Sequence, residues 1–429
     1  MKIVIAGAGF GGLRLARRLN GLAGVEIVLV DRFNYHQFQP LFYQVATAGL
    51  DASNISFPLR KVFQRSKNVR IRLANIRELN SLEKKLVTDQ EEISYDILVL
   101  ALGADTNFFG NQNLATHAFP MKSTVEALNL RHSLLQNFES AHTVKDPEEL
   151  SRLMNIVVVG GGPTGVEVSG ALAEMKRYVL PKDFPELDFK NMHIYLLEGT
   201  AKTLGTMSEN SSRQSREYLH KLGVTVLTST MVKDYDGKTV TLGDGKTISS
   251  NTVIWAAGIK GNIPNGVNKD MIVRGNRIKV DRHCRIIGQE DIYVIGDLAF
   301  MDTPKYPNGH PQVASVAIQQ ADNLAGNIKL QLRKLRPEKW VEFEYRDKGS
   351  MATVGRNLAV VDIPKPKIHF GGLWAWLVWM SLHLMLILGV KNRLFVFMNW
   401  VYNYFTYDQN LRLIFKVDRG KENPPNKTI

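Results

Sequence analysis

The sequence predicts an α/β fold with two similarly built halves and a helical region at the C-terminal end. Glycine-rich turns at residues 7–12 and 160–165 each follow a short apolar strand and precede a helical pattern. By contrast, the last quarter of the chain holds its most apolar stretch. A strand, a glycine turn and a helix in this order are typical of Rossmann-like dinucleotide-binding domains, so two such domains are expected.

The first motif lies within residues 1–31. Its glycines match the pattern G-x-G-x-x-G: Gly7, Gly9 and Gly12. The first permits a tight turn, the second lets the backbone approach a pyrophosphate, and the third lets the helix pack on the strand. Asp31 closes the next strand, 24 positions after Gly7. The helix N-terminus then faces the phosphates, and Asp31 can accept hydrogen bonds from ribose hydroxyls.

Composition excludes several other classes of site. The 429 residues suffice for about two or three domains. The single cysteine, Cys284, allows no intramolecular disulfide, no C-x-x-C redox pair and no cysteine-based zinc site. The formal charge is +13, and residues 329–429 carry 17 Lys/Arg against 8 Asp/Glu. Because this basic region is also the most apolar, it indicates an anionic membrane surface rather than nucleic acid as partner.

Several segments outside the glycine turns are candidate ligand contacts. Residues 34–49 are rich in aromatic and amide side chains without a regular period, which suits either a ligand wall or an irregular core segment. His36 within it is expected to be a packed histidine rather than a catalyst. Small residues that follow predicted strands let a backbone approach a ligand: Ala101, Gly103 and Gly258. Residues 145–150 are expected to form a polar connection.

The second motif repeats the pattern with three glycines: Gly160, Gly162 and Gly165. A helix is expected at residues 166–175. The acid of this motif is Glu198, which lies 38 positions after Gly160 because residues 178–189 are inserted. A carboxylate at this point accepts hydrogen bonds from both ribose hydroxyls and repels a 2′-phosphate, which favours NAD over NADP.

Two further acids have both a structural and a functional interpretation. Two nucleotide-binding halves in one chain imply that one nucleotide passes electrons to the other. Glu167 is expected on the first turn of the second helix, either as a helix-start acid favoured by the dipole or as a carboxylate facing a nicotinamide–flavin junction. Asp297 follows a predicted strand and either begins a turn or places a carboxylate over the ribityl chain of a flavin.

Taken together, these motifs make the chain resemble the type II NADH dehydrogenases, which are single-subunit NADH:quinone oxidoreductases among the two-dinucleotide-binding-domain flavoproteins. The resemblance covers nearly the full length. Its matching segments are residues 35–49, 160–174, 311–320, 347–355 and 392–414. Disulfide reductases and sulfide:quinone reductases of the wider group need paired cysteines, which this sequence lacks.

The resemblance implies that the first motif holds FAD and that the second binds NADH as substrate. It assigns Asp297 to the ribityl and pyrophosphate region of FAD, and Gln44 and Ala46 to the neighbourhood of the isoalloxazine ring. It also divides the chain into a first part of the FAD domain, an NADH domain, a second part of the FAD domain and a membrane-association region: residues 1–150, 151–262, 263–335 and 336–429.

The quinone end of the flavin is implied to involve Gln319, Ser315 and Gln44. Ser315 stands where the family usually has a glutamine, which is a departure at the quinone contact. Lys348 matches a lysine of the family near the flavin. Without the resemblance, Gln319 and its neighbour Gln320 would be solvent-facing helix residues and Lys348 a surface lysine.

The apolar stretch at residues 373–390 is just long enough for a transmembrane helix. Three arrangements remain open: a span, a helix in the membrane interface, and a buried core helix. Tryptophans and basic residues at both flanks favour the interface, and the resemblance implies a monotopic anchor. Residues 394–407 are too short to span, and residues 418–429 are expected to be disordered. The prediction is a peripheral membrane protein on the cytoplasmic face of the plasma membrane.

The predicted activity is therefore that of a non-proton-pumping NADH:quinone oxidoreductase with FAD as cofactor and no metal. Glu167 and Lys348 are the candidate catalytic residues, for proton management. Two alternatives remain: an NADH-dependent flavin reductase that uses oxygen or a small redox protein, and a membrane-bound NAD sensor without turnover. A homodimer is compatible with the sequence.

Overall fold

The computed structural model describes residues 1–332, 339–409 and 411–414. The chain divides into two compact units. The first unit comprises Met1–Gln37, Ser56–Asn107 and Ile259–Lys348, and the second comprises Phe38–Ile55, Phe108–Gly258 and Gly349–Ile429. The division into four consecutive domains stays a prediction, and residues 418–429, expected to be disordered, lie outside the described residues.

The strands are β1 (Lys2–Ala6), β2 (Glu26–Asp31), β3 (Tyr35–Gln37), β4 (Ser56–Pro58), β5 (Val69–Leu73), β6 (Ile76–Asn80), β7 (Lys85–Thr88), β8 (Glu92–Ser94), β9 (Ile97–Leu100), β10 (Ala104–Thr106), β11 (Phe119–Pro120), β12 (Ile156–Val159), β13 (Ile194–Leu197), β14 (Thr225–Leu227), β15 (Val232–Tyr235), β16 (Thr239–Leu242), β17 (Thr247–Ser249), β18 (Thr252–Trp255), β19 (Ile259–Gly261), β20 (Ile272–Val273), β21 (Arg277–Lys279), β22 (Ile292–Val294), β23 (Ala299–Phe300), β24 (Ser350–Gly355), β25 (Leu358–Ile363) and β26 (Ile368–Gly371). The helices are α1 (Phe10–Leu19), α2 (Phe42–Ala46), α3 (Leu59–Val62), α4 (Gln112–His117), α5 (Thr124–Ala141), α6 (Pro147–Met154), α7 (Pro163–Tyr178), α8 (Leu180–Asp183), α9 (Glu209–Leu222), α10 (Ala314–Leu332), α11 (Leu373–Leu386) and α12 (Val390–Thr406).

The first unit is built on a parallel sheet with the strand order β22-β9-β1-β2-β5. Residues 3–6 of β1 are fully buried, as expected for the centre of a sheet covered on both faces. Helices α1 and α10 pack against each other beside this sheet. Because all five strands run in the same direction, their carboxyl ends share one edge, where ligands of such sheets bind.

The second unit repeats this plan with a parallel sheet in the order β11-β18-β12-β13-β14. The strand β12 is buried along its whole length and is followed by the second glycine turn and then by α7. The structure confirms the α/β class with two parallel-sheet halves that the glycine motifs predict. Residues 145–150, however, do not form a polar connection. Pro147–Met154 is a helix, and the Asp146 side chain caps it by accepting from the Glu149 N–H.

The C-terminal region begins with an antiparallel sheet, β24-β25-β26, that the sequence analysis does not predict. Strand β24 lies against α7 in close contact, since a Cβ at Gly170 would be only 1.6 Å from the Val354 carbonyl oxygen. On the other side, Ala375 of α11 packs on Ala359 and Val361 of β25. The sheet therefore fixes α11 to the rest of the second unit.

The apolar stretch at residues 373–390 is not one helix, because α11 ends at Leu386 and α12 begins at Val390. Within the described residues no helix is long and apolar enough to cross a membrane. Each helix nevertheless presents large apolar side chains to solvent: Trp374, Leu377, Val378, Met385, Val390, Leu394, Phe395, Phe397, Met398 and Phe405. Trp379 and Trp400 occupy the opposite, buried faces.

Candidate active site

The carboxyl edge of the first sheet brings together the predicted cofactor residues of the first unit. These residues follow or end neighbouring strands: Gly7 after β1, Asp31 at the end of β2, Ala101 and Gly103 after β9, and Asp297 after β22. A parallel sheet places such positions side by side, so the structure gathers residues that are widely separated in sequence. Gly103 has a φ of +66°, a conformation that favours glycine.

The glycine turn after β1 has the form of a phosphate cradle. Gly7 has a φ of +103°, and a Cβ at Gly12 would lie 1.9 Å from the Gly7 carbonyl oxygen, so α1 packs directly on the turn. A Cβ at Gly9, in contrast, would have no atom within 4 Å, which leaves that side of the backbone open. No side chain caps the N-terminus of α1, so its first N–H groups suit an anionic ligand. The turn therefore fits a dinucleotide pyrophosphate.

Asp31 is oriented by the same turn. Its carboxylate accepts hydrogen bonds from the Ala8 N–H at 2.6 Å and from the Phe33 N–H at 2.7 Å, one on each oxygen. Because each carboxylate oxygen has two lone pairs, one acceptor site per oxygen is left for ribose hydroxyls. His36 is buried with Nδ1 3.0 Å from the Ala8 carbonyl oxygen, and burial lowers its pKa. It is a packed, neutral histidine, as expected.

The second unit repeats this construction around the other glycine turn. Gly160 has a φ of +108°, and a Cβ at Gly165 would lie 1.8 Å from its carbonyl oxygen, while Gly162 again has open space. Glu198 accepts hydrogen bonds from the Gly161 N–H at 2.6 Å and from the Thr200 N–H at 2.7 Å. Both acids thus bond the second residue of their glycine turn, as Asp31 does through Ala8. This unit also fits a dinucleotide.

Gly258 lies at the same edge as the second glycine turn, after β18. Its φ is +78°, and a Cβ there would approach the Phe109 ring to 2.6 Å, so the position requires glycine. Phe109 also meets Trp255 of β18 edge to face, with 6.5 Å between ring centroids. Phe109 is 69% exposed and was not anticipated from the sequence.

The predicted quinone contacts on α10 form hydrogen bonds with the segment that leads to Lys348. The Ser315 hydroxyl lies 2.9 Å from the Tyr345 hydroxyl, and the Gln319 amide exchanges two hydrogen bonds of 3.0 Å with the Arg346 backbone. The Lys348 side chain itself is exposed. Ser315 and Gln319 thus both have defined partners in this segment.

Gln320 is a residue that the sequence analysis misjudged. It is 1% exposed, and its side-chain oxygen accepts a 2.7 Å hydrogen bond from the Gly296 N–H, next to Asp297. The solvent-facing interpretation is wrong for this residue, because α10 turns it towards the end of β22. Helical spacing from the buried Ala317 and Leu324, three positions before and four after Gln320, could have indicated this orientation.

The buried Glu167 side chain lines a cavity of the second unit that opens to solvent. The cavity has a volume of about 130 Å³ and is lined by residues of α2, α7, β24, α11 and α12. Helix α7 begins at Pro163, so Glu167 is its fifth residue, and the prediction of a first-turn acid favoured by the helix dipole is wrong. Burial raises the pKa of Glu167 to about 8, opposed by the Thr353 N–H at 3.4 Å and by Trp379. The carboxyl group is mostly protonated at pH 7.

Gln44 and Tyr43 form another wall of this cavity. The Gln44 side chain donates to the Tyr43 hydroxyl at 2.8 Å and accepts from the Trp400 indole N–H at 2.8 Å. The amide is therefore held between α2 and α12. Ala46, the other predicted residue of this helix, is buried. Tyr43 meets Trp379 edge to face, with 6.3 Å between ring centroids.

No group of three or more His, Cys, Asp or Glu side chains that could hold a metal occurs in the described ranges. The described residues contain two dinucleotide cradles, one in each unit, and a buried carboxyl group. Residues 1–321 match the pyridine nucleotide-disulphide oxidoreductase family, and residues 348–407 match the NDH2 C-terminal domain. The fold, the two cradles and this match define the class of the chain, which is that of the pyridine nucleotide-disulphide oxidoreductases.

Comparison with similar proteins narrows this class to a single family. The type II NADH:quinone oxidoreductase Ndh of Mycobacterium tuberculosis is 34% identical over 420 residues, covering 94% of this chain and 88% of that protein. The type II NADH:quinone oxidoreductase of Staphylococcus aureus is 28% identical over 370 residues, with 83% and 88% covered. This chain belongs to the type II NADH:quinone oxidoreductases. The structure of NDH2 from Plasmodium falciparum in complex with NADH has the same fold, with a TM-score of 0.87, 21% identity and 97% and 99% of the two chains covered.

Proposed function

We propose that the protein catalyses NADH + H⁺ + quinone → NAD⁺ + quinol, with FAD as the resident cofactor. The observation that carries this proposal is the presence of two complete dinucleotide cradles, each with an acid bonded to its own glycine turn. The first unit holds FAD through Gly7, Gly9 and Gly12 with Asp31 at the ribose. Bound there, FAD would supply the two-electron chemistry that links NADH to the acceptor.

The second unit binds NADH. Gly160, Gly162 and Gly165 receive its pyrophosphate, and Glu198 receives the hydroxyls of its ribose. Ala101, Gly103, Asp297 and Gly258 contribute close backbone approach or polar contact at the edges of the two sheets. This assignment corresponds to the domain division proposed from the sequence, with an FAD domain interrupted by an NADH domain.

The side chains of this protein contribute to quinone reduction by supplying a proton and by positioning the quinone. Glu167 carries a proton at neutral pH and can release it when negative charge develops nearby, because burial raises its pKa to about 8. Lys348, which is exposed in the first unit, is the other candidate for proton transfer. Gln44, Gln319 and Ser315 contact the quinone or orient its neighbours.

The membrane side of the protein is formed by α11 and α12. Their exposed apolar side chains, with Lys391 and Arg393 at the start of α12, fit the interface of an anionic lipid surface. We assign the protein as a peripheral protein on the cytoplasmic face of the plasma membrane, where a lipid-dissolved quinone reaches it.

Purified protein is expected to contain bound flavin whose absorbance is bleached by NADH under anaerobic conditions and restored by a soluble quinone. The flavin is reduced in the first step and reoxidised in the second, so stopped-flow absorbance follows both. Oxygen and a ferredoxin-like protein are tested as acceptors in parallel. Absence of bound flavin, or faster reoxidation by either of those acceptors than by quinone, contradicts the proposal.

Replacing Glu198 with glutamine is expected to lower the ratio of kcat/KM for NADH over NADPH by about tenfold, because a charged acceptor is lost and a 2′-phosphate is no longer repelled. Initial rates with the two nucleotides measure this ratio. Glu217, an exposed acid of α9, provides the matched control, since Glu217→Gln leaves the ratio unchanged. An unchanged ratio in the Glu198 variant would show that this residue does not bind the ribose.

A further inference from the structure

One face of α7 carries every residue of this helix that lines the cavity around Glu167. These residues are spaced by four, three and four positions: Glu167, Ala171, Glu174 and Tyr178. Such spacing places side chains on a single stripe of a helix. The cavity therefore runs along α7 from one acid to a second acid, Glu174, that the sequence analysis did not single out.

Strand β24 and the turn after it hold both carboxyl groups. The Thr353 N–H lies 3.4 Å from Glu167 Oε1, and the Arg356 N–H donates to Glu174 Oε1 at 2.5 Å. Because β24 approaches α7 closely at Gly170, the backbone N–H groups of Thr353 and Arg356 can reach the two carboxyl groups. Glu174 is thus oriented by the same strand that contacts Glu167.

The space between the two acids is large enough to hold water. Seven residues of an α-helix rise by about 10 Å, and the only cavity-lining side chain of α7 between the acids is the methyl group of Ala171. The cavity offers about 130 Å³ to water, and a single water needs only ~15 Å³, so several waters fit in it. Carboxyl, hydroxyl and amide groups on its walls supply the hydrogen-bond partners that such waters require.

Exposure increases along this stripe. Glu167 is 8% exposed, Glu174 is partly exposed, and Tyr407, which stacks on Tyr178 with 4.2 Å between ring centroids, is exposed. The other end of the cavity therefore lies near the protein surface. The Arg356 guanidinium lies over the Tyr407 ring at 3.4 Å and donates to the Asn403 carbonyl oxygen, so its charge is engaged at the end of α12.

Burial is the largest influence on Glu174 and raises its pKa, while the N–H and the charge of Arg356 oppose the rise. The titratable or charged groups that line the cavity with it come from α7, α2, the β24–β25 turn and the end of α12: Glu167, Tyr178, Tyr43, Arg356, Tyr404 and Tyr407. Burial raises the pKa of Tyr43 well above its usual range. The two glutamates are the carboxylic acids of the cavity, and burial raises the pKa of both.

We infer that Glu174 is a positioning residue for proton transfer: it takes a proton from the surface near Tyr407 and passes it through the cavity to Glu167. This inference rests on the proposed function. In the overall reaction, two electrons and one proton arrive with the hydride of NADH, and the second proton of the quinol comes from solvent. Glu167 donates that proton and is reprotonated by Glu174, which recovers its own proton from solvent, so only O–H bonds form and break at the two residues.

The test compares Glu174→Gln and Glu174→Asp with the wild type as flavin-loaded proteins. Gln can still accept the Arg356 N–H but cannot carry the proton, whereas Asp fits less well but can. We expect Glu174→Gln to lower quinone-dependent kcat by about tenfold and to increase its solvent deuterium isotope effect, with Glu174→Asp retaining more activity than Glu174→Gln. Flavin bleaching by NADH should keep its rate in both variants. If Asp is worse than Gln, the role is structural and the inference fails.

Two readouts do not depend on turnover rate alone. A pH-indicator dye in weak buffer records proton uptake, which should lag behind quinol formation in Glu174→Gln and not in the wild type or in Glu217→Gln. Infrared titration of the protonated carboxyl band, assigned with Glu167→Gln, should retain its midpoint near pH 8 in Glu174→Gln. A shifted midpoint would show that Glu174 acts by shaping the surroundings of Glu167.

A second variant blocks the path without removing either acid. Ala171→Leu fills the space between the glutamates and should reproduce the loss of kcat and the delayed proton uptake of Glu174→Gln. If both variants turn over quinone like the wild type, the inference is wrong although the proposed function stands. If the wild type does not reduce quinone, the proposed function fails first, and the infrared titration still reports on the carboxyl pair.

Discussion

Replacing Glu167 with glutamine is expected to lower quinone-dependent kcat by about 100-fold, the loss typical of removing a proton donor from an active site. Glutamine has nearly the same shape and can accept the Thr353 N–H, but it has no proton to release. The flavin bleaching and reoxidation steps, followed separately by stopped flow, show which of them carries the loss. We expect reoxidation by quinone to be the slowed step.

The pH dependence gives this prediction a second readout. Burial raises the pKa of Glu167 from 4.5 to about 8, so the donor is protonated at neutral pH and is lost as pH rises through 8. Wild-type kcat should therefore fall above pH 8, whereas the residual kcat of Glu167→Gln should not show that step. Identical pH profiles in the two proteins would contradict a donor role for this carboxyl group.

The same substitution should stabilise the protein at neutral and alkaline pH. In the unfolded chain Glu167 ionises near pH 4.5, but in the fold it stays protonated to about pH 8, so the free energy of unfolding falls as pH rises between these values. Glutamine does not incur this loss. The variant should gain on the order of 3 kcal/mol at pH 7 and little at pH 4.5, measured by urea unfolding. Glu217→Gln, on the surface of α9, should change neither value.

The glycine turns could be predicted to the residue because their geometry is local. Gly7 and Gly160 have strongly positive φ values, and Gly12 and Gly165 lie against the turns that precede them, so the residue type follows from a few neighbouring backbone atoms. The strand-end acids are predictable for a related reason, because a parallel sheet brings successive strand ends to one edge. The sequence pattern therefore predicts both glycine turns and the acids beside them.

The cavity could not be predicted because it depends on contacts between distant segments. Glu174 reads in the sequence as an ordinary helical acid, and its significance arises only when the β24–β25 turn places the Arg356 N–H against it. Strand β24 pairs with β25, which follows it directly, but the surface of α7 on which it packs is distant in the sequence. Glu167 stays a predicted site residue, but the early start of α7 invalidates the helix-dipole explanation.

Gly170 shows what this long-range packing requires, and Gly170→Ala is expected to destabilise the protein by about 3 kcal/mol. A Cβ at this position would lie 1.6 Å from the Val354 carbonyl oxygen, which is backbone and cannot rotate away. Strand β24 must then move off α7, and the Thr353 and Arg356 contacts to the two glutamates weaken with it. Urea unfolding measures the loss of stability, and quinone-dependent kcat should fall even in variant protein that remains folded.

Gly326 supplies the matched control, because it also lies inside a long helix, α10, but a Cβ there would have no atom within 4 Å. Gly326→Ala should stabilise the protein by about 1 kcal/mol, since alanine has the higher helix propensity and restricts the unfolded chain. The same Gly→Ala substitution is expected to change stability in opposite directions at the two positions, because only Gly170 has a strand packed on it. Equal stability changes in the two variants would mean that β24 does not lie against α7 as described, and the cavity that joins Glu167 to Glu174 would lose its wall.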